Sequence, residues 1–214
     1  MKRIAYINPD CFIHVDLTVL AELAKEFDIL WIPIINEGFA EYSDEYLETY
    51  AREAGIRIKI VHTALRMRSL GNISLFSSLI HRINHDQTDL VFSASNNPYW
   101  LLLSRSLKAP LIYGIHDFIQ HTDIHRQNLL KASTWMGIRF HDYFLFYSRQ
   151  QLALFQQDYP EKTATYAGMV ALDYGEPSVS LPPIGNGVKL LFFGRIDSYK
   201  GLDLLISSME KLLE

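Results

Sequence analysis

The chain has 214 residues, 49% of them hydrophobic, and a formal net charge of −4. The excess of acidic residues argues against a nucleic-acid-binding protein, which would normally carry a strongly basic face. Cys11 is the single cysteine, so an internal disulfide is excluded, as suits a reducing cytoplasm. No segment approaches the ~18 consecutive apolar residues of a membrane span. We therefore expect a soluble cytoplasmic protein.

Most of the chain alternates between short β-rich apolar runs and helical stretches. The apolar runs predict strands at residues 3–8, 28–34, 57–61, 89–94, 110–115, 143–148 and 163–167. The segments between them predict helices at 15–26, 41–54, 73–85, 99–107, 123–140 and 149–157. This alternation is typical of the α/β class, and it predicts a Rossmann-like, mainly parallel sheet with helices on both faces.

Residues 174–187 have the composition of a linker. They hold three prolines and three glycines in the run Y-G-E-P-S-V-S-L-P-P-I-G-N-G. We predict a first domain over residues 1–175, a linker over 176–187, and the first strand, loop and helix of a second domain over 188–214. One strand and one helix cannot bury a sheet, so we expect the chain to be a fragment with a truncated second domain.

The final stretch, residues 189–213, has the pattern of a phosphate site at a strand-to-helix junction. The apolar run 190–193 predicts a strand that breaks at Gly194. Arg195 and Lys200 place two cations in the loop that follows. A helix beginning just after Lys200 would direct its N–H groups and its positive dipole end at the same point.

This stretch resembles the nucleotide-sugar diphosphate loop of the family-4 GT-B glycosyltransferases, whose pattern is F-x-G-R-x-x-x-x-K-G-x-D-x-L-I. The residues that match it in register are Phe192, Gly194, Arg195, Lys200, Gly201, Asp203, Leu205 and Ile206. The resemblance implies a retaining transfer of a hexose from a nucleotide diphosphate sugar to a hydroxyl acceptor, either a glycan or a lipid-linked molecule. It implies no metal and no cofactor beyond this donor substrate. Arg195 and Lys200 would be catalytic residues that stabilise the departing diphosphate, and Gly194 would contribute to substrate binding.

Other candidates come from the carboxyl ends of the predicted strands, where open parallel sheets bind ligands. His116 and Asp117 follow the strand L-I-Y-G-I and resemble the H-D pair whose His faces the transferred sugar in the same family. We assign His116 a catalytic role and Asp117 a substrate-binding role. Ser148 resembles the family's serine at a strand end and also suits a helix N-cap. Asp10 completes the substrate-binding set, although Asp10 and Cys11 replace a glycine pair usual in the family and an acidic group repels phosphate.

Several other hypotheses remain open. The family's E-x7-E element would lie beyond residue 214, so we expect little or no activity from the chain alone. A standalone GT-B domain that binds an acceptor or a partner without catalysis is the main alternative, and a nucleotide-sugar epimerase is another. The run T-A-L-R-M-R-S-L-G-N-I-S-L-F-S-S-L-I favours peripheral contact with the inner face of an anionic membrane as a further option. His121 and His125 would share a helix face, but no H-E-x-x-H or cysteine pattern supports a metal site.

Overall fold

The computed structural model describes residues 1–38, 41–118, 127–168, 190–192, 196 and 200–213. The chain divides into two compact units. The larger comprises Met1–Ile119 and Asn128–Leu172, and the smaller comprises Gln120–Gln127 and Asp173–Glu214.

The larger unit is built on an eight-stranded sheet whose described pairings are all parallel. Its strands are β1 (Arg3–Pro9), β2 (Asp28–Asn36), β3 (Arg57–Ile58), β4 (Val61–Thr63), β5 (Leu90–Ser93), β6 (Leu111–Ile115), β7 (Tyr143–Phe146) and β8 (Thr163–Tyr166). Their order across the sheet is β3–β2–β1–β5–β6–β7–β8, with β4 also paired to β2. The predicted α/β class and mainly parallel sheet are therefore confirmed.

Helices alternate with these strands along the chain. They are α1 (Ile13–Leu23), α2 (Asp44–Glu53), α3 (Gly71–His85), α4 (Pro98–Leu103), α5 (Gln127–Phe140) and α6 (Arg149–Asp158), with α7 (Leu202–Leu213) in the smaller unit. Polar caps set where some of them begin. The Ser43 hydroxyl accepts from the N–H of Tyr46 at 3.2 Å, and the Asn97 side chain accepts from the N–H of Tyr99 at 3.0 Å.

The single strand predicted at residues 57–61 forms instead as two short strands, β3 and β4, which both pair with β2. The interruption lies opposite Pro33, a central residue of β2. The Trp31 carbonyl still accepts from the Lys59 N–H at 2.8 Å. In a parallel strand, the backbone groups of residues two apart bond to the same neighbouring strand. The backbone of Pro33 is therefore directed toward β3 and β4, like that of Trp31, but Pro33 has no N–H to donate. The hydrogen-bond ladder along β2 is therefore interrupted after β3 and continues at β4.

The strand predicted before Gly194 is not formed by its described residues. Residues 190–192 belong to no strand, and the rest of that prediction lies outside the described residues. A strand is held by hydrogen bonds to a neighbour, and the described sheet contains only β1 to β8. The helix predicted after Gly201 is present as α7.

The two faces of the sheet carry separate cores, because alternate strand residues point to opposite faces. On one face the strands pack against α3, α4, α5 and α6, and the largest buried side chains are Trp100, Phe144, Phe146 and Phe155. On the other face α1 and α2 pack against β1 and β2, with Leu20, Trp31 and Leu47 fully buried. Both cores support the carboxyl edge of the sheet, where the candidate site lies.

Candidate functional site

The strand order reverses between β1 and β5, and a polar pocket lies at the carboxyl ends of these strands. From β1 the chain continues to β2 on one side, whereas β5 lies on the other side. Such a switch point is where open parallel sheets bind ligands. The pocket holds about 170 Å³, and its polar lining residues are Asp10, Asn36, Thr63, Asn72, Ser95, Asn96 and Asn97. Amide and hydroxyl groups of this kind both donate and accept hydrogen bonds, which suits a hydroxyl-rich ligand.

Asp10 is held by backbone groups in the lining of this pocket. Its carboxylate accepts hydrogen bonds from the N–H of Cys11 at 2.8 Å and from the N–H of Asn36 at 3.0 Å. These bonds tie the turn after β1 to the end of β2, so Asp10 shapes the pocket wall. Its acidic group suits a hydroxyl donor better than a phosphate. Its predicted role in substrate binding remains a prediction.

His116 follows β6 directly and lies between two aromatic rings. The Phe12 ring, from the turn after β1, stacks on the imidazole with 3.7 Å between ring centroids and 7° between ring planes. The Tyr147 ring, just after β7, stacks with 4.3 Å between centroids and 20° between planes. Each of these two rings is nearly parallel to the imidazole and close to it, so the two rings cannot lie on the same face of the imidazole. Both faces of the imidazole are therefore covered. A ligand can therefore meet His116 only at the ring edge, where its nitrogens lie.

The burial of His116 lowers the pKa of its imidazole to about 4, although the nearby Asp117 carboxylate opposes part of this effect. The imidazole is therefore neutral near pH 7. A neutral imidazole offers one N–H donor and one nitrogen lone pair, which suits an exchange of hydrogen bonds with a hydroxyl. It lacks the positive charge that would attract a phosphate. The geometry suits contact with a hydroxyl better than contact with an anion.

A buried polar network joins α1 to the first two strands near this site. Asp16 accepts hydrogen bonds from the Tyr6 hydroxyl and from the Asn8 side-chain amide, both at 2.8 Å. The Asn8 amide oxygen accepts from the Trp31 indole N–H at 2.8 Å. All four side chains are buried. Each hydrogen bond is therefore needed, because a buried polar group without a partner is costly.

The Asp16 carboxyl is a charged group in an apolar setting. It lines an apolar cavity of about 350 Å³ together with Tyr6 and Tyr147. Burial raises the pKa of Asp16 to about 6. The two hydrogen bonds favour the charged form and oppose this rise, but burial has the larger effect. Burial also raises the pKa of the Tyr147 hydroxyl, and the Asp16 charge adds to that effect. Asp16 lies about one turn along the chain from Phe12, so the network anchors the start of α1, directly after the residue that carries the stacking ring.

Asp117 and Ser148 also lie at the carboxyl edge, after β6 and β7 respectively. Ser148 is the N-cap of α6, and its hydroxyl accepts from the N–H of Gln151 at 3.4 Å. The Gln151 side chain accepts from the N–H of Phe118, which ties the turn after β6 to α6. The helix-cap interpretation of Ser148 is thus confirmed. The substrate-binding roles of Asp117 and Ser148 remain predictions.

Only part of the predicted diphosphate loop belongs to the described residues. Gly194 and Arg195 lie outside them. Lys200 is exposed and precedes Gly201, whose φ of +70° lies in the left-handed region that favours glycine. The helix α7 follows, with Asp203 in its first turn. The catalytic roles predicted for Arg195 and Lys200 remain predictions.

Three side chains near this edge were not predicted from the sequence: Phe12 and Tyr147, which stack on His116, and Asp16, which lines a cavity with Tyr147. Tyr147 immediately precedes Ser148 at a strand end, and that position was a usable signal. An acidic residue among the apolar residues of α1 is likewise a recognisable sign of a buried polar group, and Asp16 is that residue. No local pattern indicates Phe12, because it reaches His116 from the far side of β5.

Metal ligands and membrane-spanning helices are absent from the part of the chain that the structure describes. There, no group of three or more His, Cys, Asp or Glu side chains could hold a metal ion. No described helix is both long and apolar enough to cross a membrane. His121 and His125, considered above as metal ligands, lie outside the described residues.

The fold is similar to that of several solved structures. Anabaena Alr3699/HepE, crystallised in complex with UDP, gives a TM-score of 0.55 at 16% identity, over 79% of this chain and 44% of that chain. A putative UDP-N-acetylglucosamine 2-epimerase from Listeria monocytogenes gives 0.54 at 12% identity, over 77% and 44%. A glycosyltransferase from Rickettsia africae ESF-5 gives 0.51 at 13% identity, over 78% and 42%. No family model and no curated protein sequence matches the chain.

HepE and the UDP-N-acetylglucosamine 2-epimerase are of the GT-B type. The chain spans less than half the length of each of the three solved structures. At such low identities the likeness shows a shared fold. The larger unit is therefore a Rossmann-like α/β domain of the GT-B type.

Proposed function

We propose that the protein containing this chain is a glycosyltransferase that moves a hexose from a nucleotide diphosphate sugar to a hydroxyl acceptor with retention of configuration. The observation that carries the proposal is the neutral His116 imidazole, held between Phe12 and Tyr147 at the carboxyl end of β6. Its nitrogens lie at the ring edge and fit a sugar hydroxyl. The polar pocket at the β1–β5 switch point offers further hydrogen-bonding groups to a hydroxyl-bearing ligand.

The donor proposal depends on the pattern around Arg195 and Lys200. Negative charge accumulates on the departing diphosphate as the glycosidic bond breaks, and two cations next to a helix N-terminus would stabilise that charge. HepE, whose fold is similar to that of the larger unit, was crystallised with UDP, and a second structure of HepE contains UDP and glucose. These observations support a nucleotide sugar as the donor for the present chain.

The donor proposal is tested by ligand binding. The chain spans less than half the length of its structural neighbours, so nucleotide binding and transfer are both proposed for the protein as a whole, and binding is measured on that protein. We expect Arg195→Ala and Lys200→Ala each to weaken binding of UDP, GDP or ADP in calorimetry. Each variant lacks one of the two protein cations proposed to bind the negatively charged diphosphate. Lys131→Ala, at an exposed cation of α5, is the control. Unchanged affinity in both variants would refute the diphosphate assignment.

The role of His116 is tested by the rate of transfer in the whole protein. His116→Ala removes the group proposed to contact the transferred sugar, so the rate should fall on the order of 10²-fold, as when one preorganised donor is removed from an active site. Nucleoside diphosphate affinity should stay the same, because His116 does not contact the diphosphate in this proposal. A His116→Ala variant with the full rate of transfer would exclude this role.

Two alternatives are distinguished by products. The fold is as similar to the Listeria epimerase, with a TM-score of 0.54, as to HepE, with 0.55, so a nucleotide-sugar epimerase is the second candidate. A glycosyltransferase releases nucleoside diphosphate faster when an acceptor is added and forms a glycosylated acceptor, whereas an epimerase changes the sugar configuration without an acceptor. A non-enzymatic module would bind acceptor or partner and give neither product.

For the acceptor we propose a glycan or a lipid-linked molecule presented at an anionic membrane surface. Leu70 and Ile73 are exposed, at 73% and 42%, next to the exposed cations Arg66 and Arg68. The Tyr99 hydroxyl donates to the Arg68 carbonyl at 3.0 Å, which holds this loop against α4. Neighbouring residues of the loop line the polar pocket. An apolar surface flanked by cations favours contact with anionic lipid.

Membrane contact is tested by flotation with vesicles. Wild-type protein should bind vesicles of phosphatidylcholine mixed with phosphatidylglycerol, and the double variant Leu70→Ser/Ile73→Ser should bind less, because it loses exposed apolar area. Leu102→Ser, at a 47% exposed leucine of α4, is the matched control. Equal losses in the control, or no binding by the wild type, would exclude this surface as a membrane contact.

A further inference from the structure

A second concavity lies between α3 and the β3–β4 edge of the sheet. It holds about 720 Å³ and is lined from residues 59–62 and 75–86. Its basic lining residues are Lys59, His62, His81, Arg82 and His85. We call it the basic groove. It shares one lining residue, Leu75, with the polar pocket at the carboxyl edge.

The acidic side chains around the basic groove are already paired. Asp86 accepts from the Arg57 guanidinium at 2.8 Å, and Arg57 also contacts Asp28 at 3.0 Å. His62 pairs with Asp44 at 2.8 Å. These carboxylates are therefore engaged elsewhere and do not neutralise the other basic side chains of the groove.

Four basic side chains of the groove have no side-chain hydrogen bond or ion pair with any described residue: Lys59, His81, Arg82 and His85. On α3, His81, Arg82 and His85 are spaced so that they share one side of the helix. Basic residues in the last turn of a helix interact favourably with its C-terminus. That interaction does not account for Lys59, which comes from the strand segment across the groove. The convergence of cations from two elements therefore calls for another explanation.

We propose that the basic groove binds a phosphate-bearing ligand. Arg82 supplies a planar fork of donors and Lys59 a point charge, the two means by which side chains hold phosphate oxygens. His81 and His85 add N–H donors. Unpaired cations around a concavity repel one another, and a bound anion removes that repulsion. The volume of about 720 Å³ is that of a small-molecule site. The phosphate is borne either by a soluble molecule or by a lipid headgroup.

This site goes beyond the proposed glycosyltransferase activity, because none of its basic residues takes part in that proposal. The test uses the 214-residue chain, with inorganic pyrophosphate as the soluble probe and vesicles containing phosphatidic acid as the lipid probe. The test variant is Lys59→Gln/Arg82→Gln. The charge-matched control is Lys131→Gln/Arg139→Gln, which removes two exposed cations from α5. A second comparison, Arg195→Ala/Lys200→Ala, reports any binding of pyrophosphate at the predicted diphosphate loop.

We expect pyrophosphate to shift the amide NMR signals of residues 59–62 and 78–86. The test variant should bind pyrophosphate at least about tenfold more weakly, since it loses two charged hydrogen-bond donors. Both comparison variants should keep these shifts. If only vesicle binding falls in the test variant, the phosphate comes from lipid. Equal losses in the α5 control, shifts that vanish only in Arg195→Ala/Lys200→Ala, or no binding of either probe by the wild type would overturn the proposal. Unchanged circular dichroism in the test variant establishes that it folds.

Discussion

The two faces of the sheet differ in what they place behind the carboxyl edge. On the α6 face, Phe155 is fully buried in an aromatic cluster with Phe118, Phe144, Phe146 and Tyr159, at centroid distances between 4.9 and 5.5 Å. On the α1 face, the buried residues include Asp16 and its hydrogen-bond partners. The aromatic cluster contributes apolar burial, whereas the polar network requires a carboxylate to lose its water.

This difference separates stability from positioning. Buried aromatic side chains stabilise a fold strongly and tolerate small changes in their relative orientation. A buried carboxylate with two hydrogen bonds has a defined orientation, but it costs free energy near neutral pH because its charged form is desolvated. The costly network lies on the face that carries Phe12, the ring that stacks on His116. We infer that the α1 face is arranged to hold the His116 site and the α6 face to keep the domain folded.

The largest effect is expected from the aromatic cluster. Phe155→Ala removes a fully buried ring that contacts four other rings, and should lower the free energy of unfolding by about 3–5 kcal/mol. Urea unfolding followed by circular dichroism measures this loss. Trp135→Ala, at a tryptophan of α5 that is 61% exposed, should change the same quantity by less than about 0.5 kcal/mol. Similar losses in the two variants would contradict the stabilising role of the cluster.

An intermediate effect, dependent on pH, is expected from Asp16→Asn. The pKa of Asp16 is about 6 in the folded protein and about 3.9 in an unfolded chain, so the folded state binds this proton more tightly. Its contribution to stability is present below about pH 4 and is lost as the pH rises through 6, by an amount on the order of 3 kcal/mol. The amide of the variant does not titrate. Relative to wild type, the variant should therefore gain stability between about pH 4 and pH 7.

Urea unfolding of both proteins at several pH values checks this prediction, because the other titrating groups cancel in the difference. Asp158→Asn, at an exposed carboxylate of α6, is the control for the loss of a carboxylate at the surface. A stability difference that does not change with pH in Asp16→Asn would show that burial does not disfavour the charge of Asp16.

The smallest effect is expected from Phe12→Ala, which uncovers one face of His116. Water then reaches the imidazole, so its pKa should rise from about 4 toward the ordinary value near 6.5. Because the folded pKa lies below the unfolded one, the wild type loses stability as the pH falls from about 6.5 to 4, and the variant should lose less. An NMR titration of the imidazole carbon-bound protons measures the pKa. The control Tyr46→Ala, at an exposed ring of α2, should leave the pKa of His116 near 4. A His116 pKa that also stays near 4 in Phe12→Ala would show that the Phe12 ring does not shield the imidazole from water.

The sequence allowed the elements of the larger unit to be predicted because their signals are local. Alternating apolar runs and helical stretches indicated the strands and helices of the larger unit, except that β3 and β4 were predicted as one strand. Ser148 was identified as a helix cap from its position alone. One local signal was not used. Pro33 has no N–H, so a proline inside a predicted strand indicates a missing hydrogen bond to one neighbouring strand, and β3 and β4 separate at that point.

The candidate site was predicted only in part, because it is assembled from elements that are distant along the chain. The position of His116 at the carboxyl edge followed from the parallel sheet, since its residue number places it just after β6. Its neutrality did not follow, because desolvation depends on the rings of Phe12 and Tyr147, which come from other strand ends. The convergence of Lys59 and Arg82 on one groove was equally hidden.

The sequence by itself determined the class of fold, the residues after each strand and the cations that resemble a diphosphate loop, since each depends on neighbours within a few positions. The tertiary structure decided the strand order, and with it the switch point between β1 and β5 where the polar pocket lies. It also decided which side chains are desolvated together, and so gave His116 and Asp16 pKa values of about 4 and about 6. Long-range packing sets these properties, because hydrogen bonding and burial act between residues that touch regardless of their separation in sequence.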